Sequence, residues 1–237
     1  MKTIGVLDII KSTRKMEAGM VSYEQVKNDR GVIAYIKAAD ESLKALGYTE
    51  HSFAHVVKVA EDAARILRAL GYAEHEIELV KIAGVLHDIG NIVNRKEHSQ
   101  SGAIMAFRIL DNMGMPAEDI ATIVTAIGNH DEGDGVPVND VAAALIIADK
   151  SDVRRTRVRN TGHDFDIHDR VNMSVKSSNL VIDNDKKRID LILEIDTEIS
   201  PVMEYFEIFL GRMLLCRKAA DRLRITFGLV INSQRII

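Results

Sequence analysis

The sequence predicts a mainly α-helical protein, a bundle of apolar-faced helices followed by a small C-terminal α+β appendage of antiparallel strands and one long helix. Three observations predict it. Between residues 23 and 150 apolar side chains recur every three to four positions, the spacing of helices that bury one face. Three prolines and no tryptophan occur in 237 residues, of which 46% are hydrophobic and 28% charged, so long helices can run without interruption. Alternating, β-branched runs are confined to residues 171–196 and 225–231.

The elements follow in order. From about Tyr23 to Leu46 the positions Val26, Ile33, Ile36, Ala39, Leu43 and Leu46 keep a helical period, and Gly47 ends that helix. A second helix starts near Thr49, carries Phe53, Val56, Val57, Ala60, Ala64, Leu67 and Leu70, and stops at Gly71. His51 and His55, four residues apart, share a neighbouring face. Between Glu76 and Ile89 the chain is apolar nearly all round, which marks a central helix that delivers His87 and Asp88 at its end. Another helix covers Ser99 to Met113, and Pro116 sits in the first turn of the next, whose stripe Ile120, Ile123, Val124 and Ile127 His130 continues. The Gly- and Asp-rich stretch 131–139 is a loop ending in Asn139, a fitting N-cap. The unbroken run Val141 to Ala148 then carries Asp149. Beyond it come a hairpin around the polar segment at Asp183, a helix from about Pro201 to Leu223 and a strand at 225–231. The helix stripe Met203, Phe206, Leu210, Met213 and Leu214 reads as core or interface.

These elements divide into a lead-in at 1–48, a helical body at 49–164 and an α+β subdomain at 165–237, with a polar connection at 160–169. The formal net charge of −4, from 31 basic and 35 acidic side chains, argues against a nucleic-acid-coating protein, which needs a basic face. The single cysteine, Cys216, forms no internal disulfide, and no apolar run reaches the roughly 18–20 residues of a membrane span. A cytoplasmic protein without a membrane partner is expected.

The chemistry lies in imidazoles and carboxylates attached to separate apolar helices: His55, His87 with Asp88, His98, His130 and Asp149. Helices of one bundle can aim such groups at a common point. An unpaired Asp at the end of a helix as apolar as 141–148 costs several kcal/mol to bury, and a divalent cation removes that penalty. Imidazole suits Mn, Fe, Zn, Ni and Co, and carboxylates accept these and Mg, so one or two divalent ions of unspecified identity are expected. Taken singly, each of these histidines is more often a hydrogen-bonded core residue than a ligand.

As an ordered set they resemble a known family. Leu86-His87-Asp88-Ile89-Gly90 looks like the signature of HD-domain phosphohydrolases, His55-Val-Val-Lys-Val-Ala resembles that family's first-His helix, and Ala148-Asp149-Lys150 resembles its final Asp. The resemblance covers residues 49–159. It implies an HD helical bundle with His55, His87, Asp88 and Asp149 on one metal, and Asp88, His98 and His130 on a second, Asp88 bridging. Gly128-Asn-His-Asp-Glu-Gly-Asp-Gly-Val-Pro looks like a segment of the HD-GYP subgroup, but Asn129 replaces a His and no Gly-Tyr-Pro follows, so that subgroup's cyclic-di-GMP activity is not implied.

Five cations follow Asp149: Lys150, Arg154, Arg155, Arg157 and Arg159. Lys150 and Arg154 are the expected phosphate contacts, acting with Asp88 in catalysis, against the alternative of a solvated helix end. The expected reaction is hydrolysis of a phosphomonoester or phosphodiester, by the family's habits of a nucleotide, by a metal-activated hydroxide. Asp131 and Glu132 are the nearby carboxyl groups considered as acid for the leaving oxygen. A non-catalytic nucleotide or metal sensor, dimeric through the C-terminal part, is the alternative; His51 is left either as a ligand or substrate contact or as an exposed residue.

Overall fold

The computed structural model describes residues 21–159, 167–185 and 187–237. The first 20 residues of the expected lead-in and most of the polar connection, 160–166, lie outside them. Among the described residues the first helix is broken in two. Helix α1, Tyr23–Lys27, is closed by a capping box in which Ser22 and Gln25 exchange side-chain and backbone bonds. Helix α2, Arg30–Ala45, restarts because the Asp29 carboxylate accepts from the amides of Gly31 and Val32. The periodicity survives the break, which is why the sequence reads as one helix.

Helix α3, Phe53–Ala69, begins later than Thr49: Ser52 is its N-cap, so His51 lies just outside it. Helix α4, Glu74–Leu86, crosses α3 so closely that a Cβ on Gly84 would lie 2.6 Å from the Cα of Ala60. A 3-10 turn at Ile89–Ile92 follows the His87-Asp88 pair. Helices α5, His98–Asn112, and α6, Ala117–Gly128, pack on each other, with Pro116 as the N-cap of α6. His130 lies beyond the end of α6 rather than on its stripe. Helix α7, Asp140–Lys150, is capped by Asn139 and buries every residue from Val141 onward. It contacts α3, α4 and α6, the place expected of a central element.

The C-terminal part opens with α8, Ile167–Ser174, a helix where the sequence carries β-type signals from residue 171. Strands β1, Val175–Asp183, and β2, Arg188–Ile195, form the expected antiparallel hairpin. Helix α9, Val202–Arg222, leads to β3, Thr226–Ile231, and the short β4, Gln234–Arg235, in sheet order β1-β2-β3-β4. The strands are not all antiparallel: β2 pairs with β3 in parallel, since the 21-residue helix carries the chain back to the same end of the sheet. The stripe expected on α9 is also shifted. Met203, Leu210 and Leu214 are exposed, whereas Tyr205, Phe209, Met213, Cys216 and Ala219 are buried where α9 packs on α7 and β3. One hydrophobic cluster runs from Val21 to Ile231. Among the described residues no helix is long and apolar enough to cross a membrane.

Candidate metal centre

Helix ends and tight turns bring the imidazoles to one place. His55 comes from the first turn of α3, His87 from the end of α4, His98 from the start of α5, His130 from the turn after α6, and Asp149 from the end of α7. Their rings stand nearly edge to face in series: His55 to His87 at 5.4 Å between centroids, His87 to His130 at 5.0 Å, and His130 to His98 at 5.0 Å. All four are buried to within 1% of full enclosure.

Each ring is held by the same nitrogen. The Nδ1 of His87 lies 2.7 Å from the Gly84 carbonyl, that of His130 2.7 Å from the Ile127 carbonyl, and that of His98 3.1 Å from the Arg95 carbonyl. His55 Nδ1 instead reaches a carboxylate, Asp152 Oδ2, at 2.8 Å. A carbonyl or carboxylate can only accept, so the Nδ1 atoms of His55, His87 and His130 carry the proton and their Nε2 atoms present a lone pair, while the His98 ring also faces Arg95 Nη1, 3.2 Å from each of its nitrogens. These lone pairs converge. The Nε2 atoms of His98 and His130 lie 3.2 Å apart, and two lone pairs at that distance repel unless a cation or proton sits between them.

The two carboxylates complete the set. Asp88 Oδ2 lies 3.2 Å from His87 Nε2 and 3.5 Å from His55 Nε2, while its Oδ1 lies 3.6 Å from His98 Nε2. One carboxylate thus faces both ends of the row of rings. Asp149 Oδ1 is 3.4 Å from His55 Nε2 and 3.6 Å from His87 Nε2. Ligand atoms of His55, His87 and Asp149 lie within 4.8 Å of one another, as do those of His87, Asp88 and His130. Yet His55 Nε2, His87 Nε2 and Asp88 Oδ2 are buried with no hydrogen-bond partner. Orphaned polar atoms of this kind are rare in folded proteins, and three meeting at one point fit a cation that they coordinate.

The electrostatics lead to the same conclusion. Burial pushes the His87 imidazole down, but Asp88 and Asp149 overcome it and pull it up to about 10. Burial also pushes both carboxyls up, yet Asp88, facing His87, and Asp149, beside Lys150, are held well below the usual carboxylate range. The centre therefore demands positive charge between Nε2 and the carboxylates, which a divalent ion supplies without a proton.

All six expected ligands meet here, and so does Lys150. Its Nζ lies 2.9 Å from Asp149 Oδ2, 2.7 Å from Glu132 Oε2 and 3.5 Å from Asp131 Oδ1. Arg154 does not join them: its Nε and Nη2 donate to Asp152 at 2.5 and 3.0 Å. A cavity of about 420 Å³ opens over the ligands, walled by Tyr48, His51, Arg95, Arg157, Phe209 and Arg212 among others. His51 faces it with Nδ1 bonded to the Thr49 carbonyl at 2.8 Å, and burial holds the ring neutral, well below its ordinary value. Several site residues carry no signal in the sequence. Asn91 Nδ2 steadies Asp88 Oδ1 at 3.0 Å, and its place three residues after Asp88 is the one hint of it. Phe209 and Arg212 lie on α9, in a segment that reads as packing alone.

Buried imidazoles and aspartates at the ends of bundled helices, with lone pairs turned to a common point, define the class: a metal-binding helical domain. The family model of the HD domain matches residues 52–154, and this segment of the chain is an HD domain. The match covers less than half of the chain and is consistent with the HD-domain superfamily. The chain is also similar to the uncharacterized protein MJ1020 of Methanocaldococcus jannaschii, 25% identical over 208 residues that cover 77% of this chain and 80% of that protein.

Proposed function

We propose that the protein hydrolyses a phosphomonoester or phosphodiester bond of a small nucleotide-like substrate. The observation that carries the reading is the convergence of four imidazole Nε2 atoms and two carboxylates, with His55 Nε2, His87 Nε2 and Asp88 Oδ2 buried without a partner. A divalent ion bound there supplies Lewis acidity and an activated water at neutral pH. The chain's own residues hold that chemistry in place. His55, His87, Asp88 and Asp149, with His98 and His130, would be the ligands, each imidazole fixed in orientation through Nδ1.

Lys150 positions Asp149, since it takes Oδ2 and leaves Oδ1 for the centre. Glu132 does not supply the leaving-group proton. Burial pushes its carboxyl up, but Lys150 and Arg212 more than offset that and hold it ionised, well below the usual range. The cavity volume supports a substrate larger than phosphate, falling within the roughly 300–1,000 Å³ of small-molecule sites, and Tyr48 and Phe209 offer apolar walls to its organic part.

The test is elemental analysis of protein purified without a polyhistidine tag, followed by turnover of generic phosphoesters with added Mn, Fe, Ni or Mg. Bound metal and metal-dependent turnover are expected. Asp88→Ala loses metal and turnover together while its helical circular dichroism persists. Metal-free, inactive wild-type protein, or an Asp88→Ala variant with full turnover, overturns the reading.

A further inference from the structure

The five cations after Asp149 have different partners. Lys150 is neutralised by three carboxylates, Arg154 by Asp152 and Arg159 by Asp40. Arg155 donates from Nε to the Val175 carbonyl, and it does not line the cavity. Arg157 alone among these five combines deep burial and a place in the wall of the metal cavity with bonds to neutral groups only. Its Nε donates to the Glu50 carbonyl at 2.8 Å and its Nη1 to the Asp152 carbonyl at 2.6 Å.

Among the described residues its carboxylate contact is Asp152 Oδ2 at 4.0 Å, and that oxygen already accepts from His55 Nδ1 and Arg154 Nη2. The two carbonyls fix the plane of the guanidinium, while its one carboxylate contact is long and shared, so its charge is only partly compensated, and among the described residues its Nη2 makes no hydrogen bond. A buried cation in this condition is costly unless an anion meets it. Arg157 lines the cavity, as do Asp88, His98, His130 and Asp149, so an anion bound there would meet it. A guanidinium held in plane with a free donor edge is the group best shaped for a phosphoryl oxygen.

We propose that Arg157, rather than Lys150 or Arg154, is the cation that binds a non-bridging oxygen of the substrate phosphoryl group. The proposal rests on the phosphohydrolase reading above and adds to it the residue that recognises the anion. Its two carbonyl bonds also tie the chain before α3 to the chain after α7, so the phosphoryl contact and the position of His55 share one support.

Inorganic phosphate is the probe, titrated calorimetrically into metal-loaded protein. Arg157→Gln is expected to weaken phosphate binding at least tenfold, and Arg157→Lys, which keeps the charge, by less, with metal content assayed in each. A purely structural Arg157 would lower the melting temperature of both variants without separating their phosphate affinities, and equal affinities overturn the proposal. Should the variants fail to fold, wild-type protein is treated with butanedione and its arginines mapped. Phosphate is expected to slow modification of Arg157. No protection overturns the proposal, and so does an Arg157 that never reacts, because its guanidinium must be reachable from the cavity. Wild-type protein that turns over phosphoesters while Arg157→Gln binds phosphate normally removes the subsite and leaves the hydrolase reading standing. Wild-type protein that neither binds phosphate nor hydrolyses any ester removes both.

Discussion

At the scale of single residues, the decisive feature is which atom of each side chain is already taken. An imidazole has two nitrogens, and fixing one as a donor makes the other a ligand. For His55 the fixing group is charged: the Asp152 carboxylate, itself clamped by Arg154, makes Nε2 more basic than a carbonyl partner would. Asp152→Asn keeps the shape and removes the charge. Metal affinity is expected to fall by about 10–100-fold, the usual effect of removing such a partner, measured by chelator competition; an unchanged affinity would show that the carboxylate merely fills space. The six proposed ligands were legible in the sequence as an ordered set on separate helices that resembles the HD pattern, not one by one. Asp152 and Arg157 were not, because they sit in a run of charges whose partners, such as Glu50, lie 107 residues away along the chain. Chemical type alone could not separate Arg154 from Arg157.

At the scale of elements, the site depends on how closely helices approach. A Cβ on Gly90 would lie 2.0 Å from the His98 carbonyl and 2.5 Å from the Gly102 amide nitrogen, so the turn after Asp88 packs backbone to backbone against the first turns of α5. Gly90→Ala must push α5 away. Overpacking of this kind costs about 1–3 kcal/mol, so the urea midpoint should drop, and with His98 displaced the metal stoichiometry should drop too. A variant with wild-type midpoint and metal content would mean that the contact is easily relieved. Periodicity identified most helices, since burial of one face writes itself into spacing. It gave no warning of the break at Asp29, which leaves the period intact, nor of the direction in which β2 and β3 pair, which depends on the return path of α9. The short α8 escaped because its polar sequence offers little stripe to read.

At the scale of the whole molecule, the centre joins parts distant in sequence: α3, α4, α5, the turn after α6, and α7 supply the candidate ligands, while Phe209 and Arg212 of α9 line the cavity. A cation that binds only when all of these are assembled stabilises the entire fold. At about 100 times its Kd the gain is roughly 2.7 kcal/mol, which for a chain of this size raises the melting temperature by about 5–10 °C. Differential scanning fluorimetry with and without chelator reads this directly. Asp88→Ala should show little of the shift, and an equal shift in that variant would place the stabilising ion elsewhere.

The grip of Lys150 on Asp149 has a consequence for coordination. With Oδ2 tied to the ammonium, this carboxylate has a single tooth to offer, Oδ1. The chain would therefore offer an ion one oxygen from Asp149, with Asp88 and the imidazoles supplying the remaining donors.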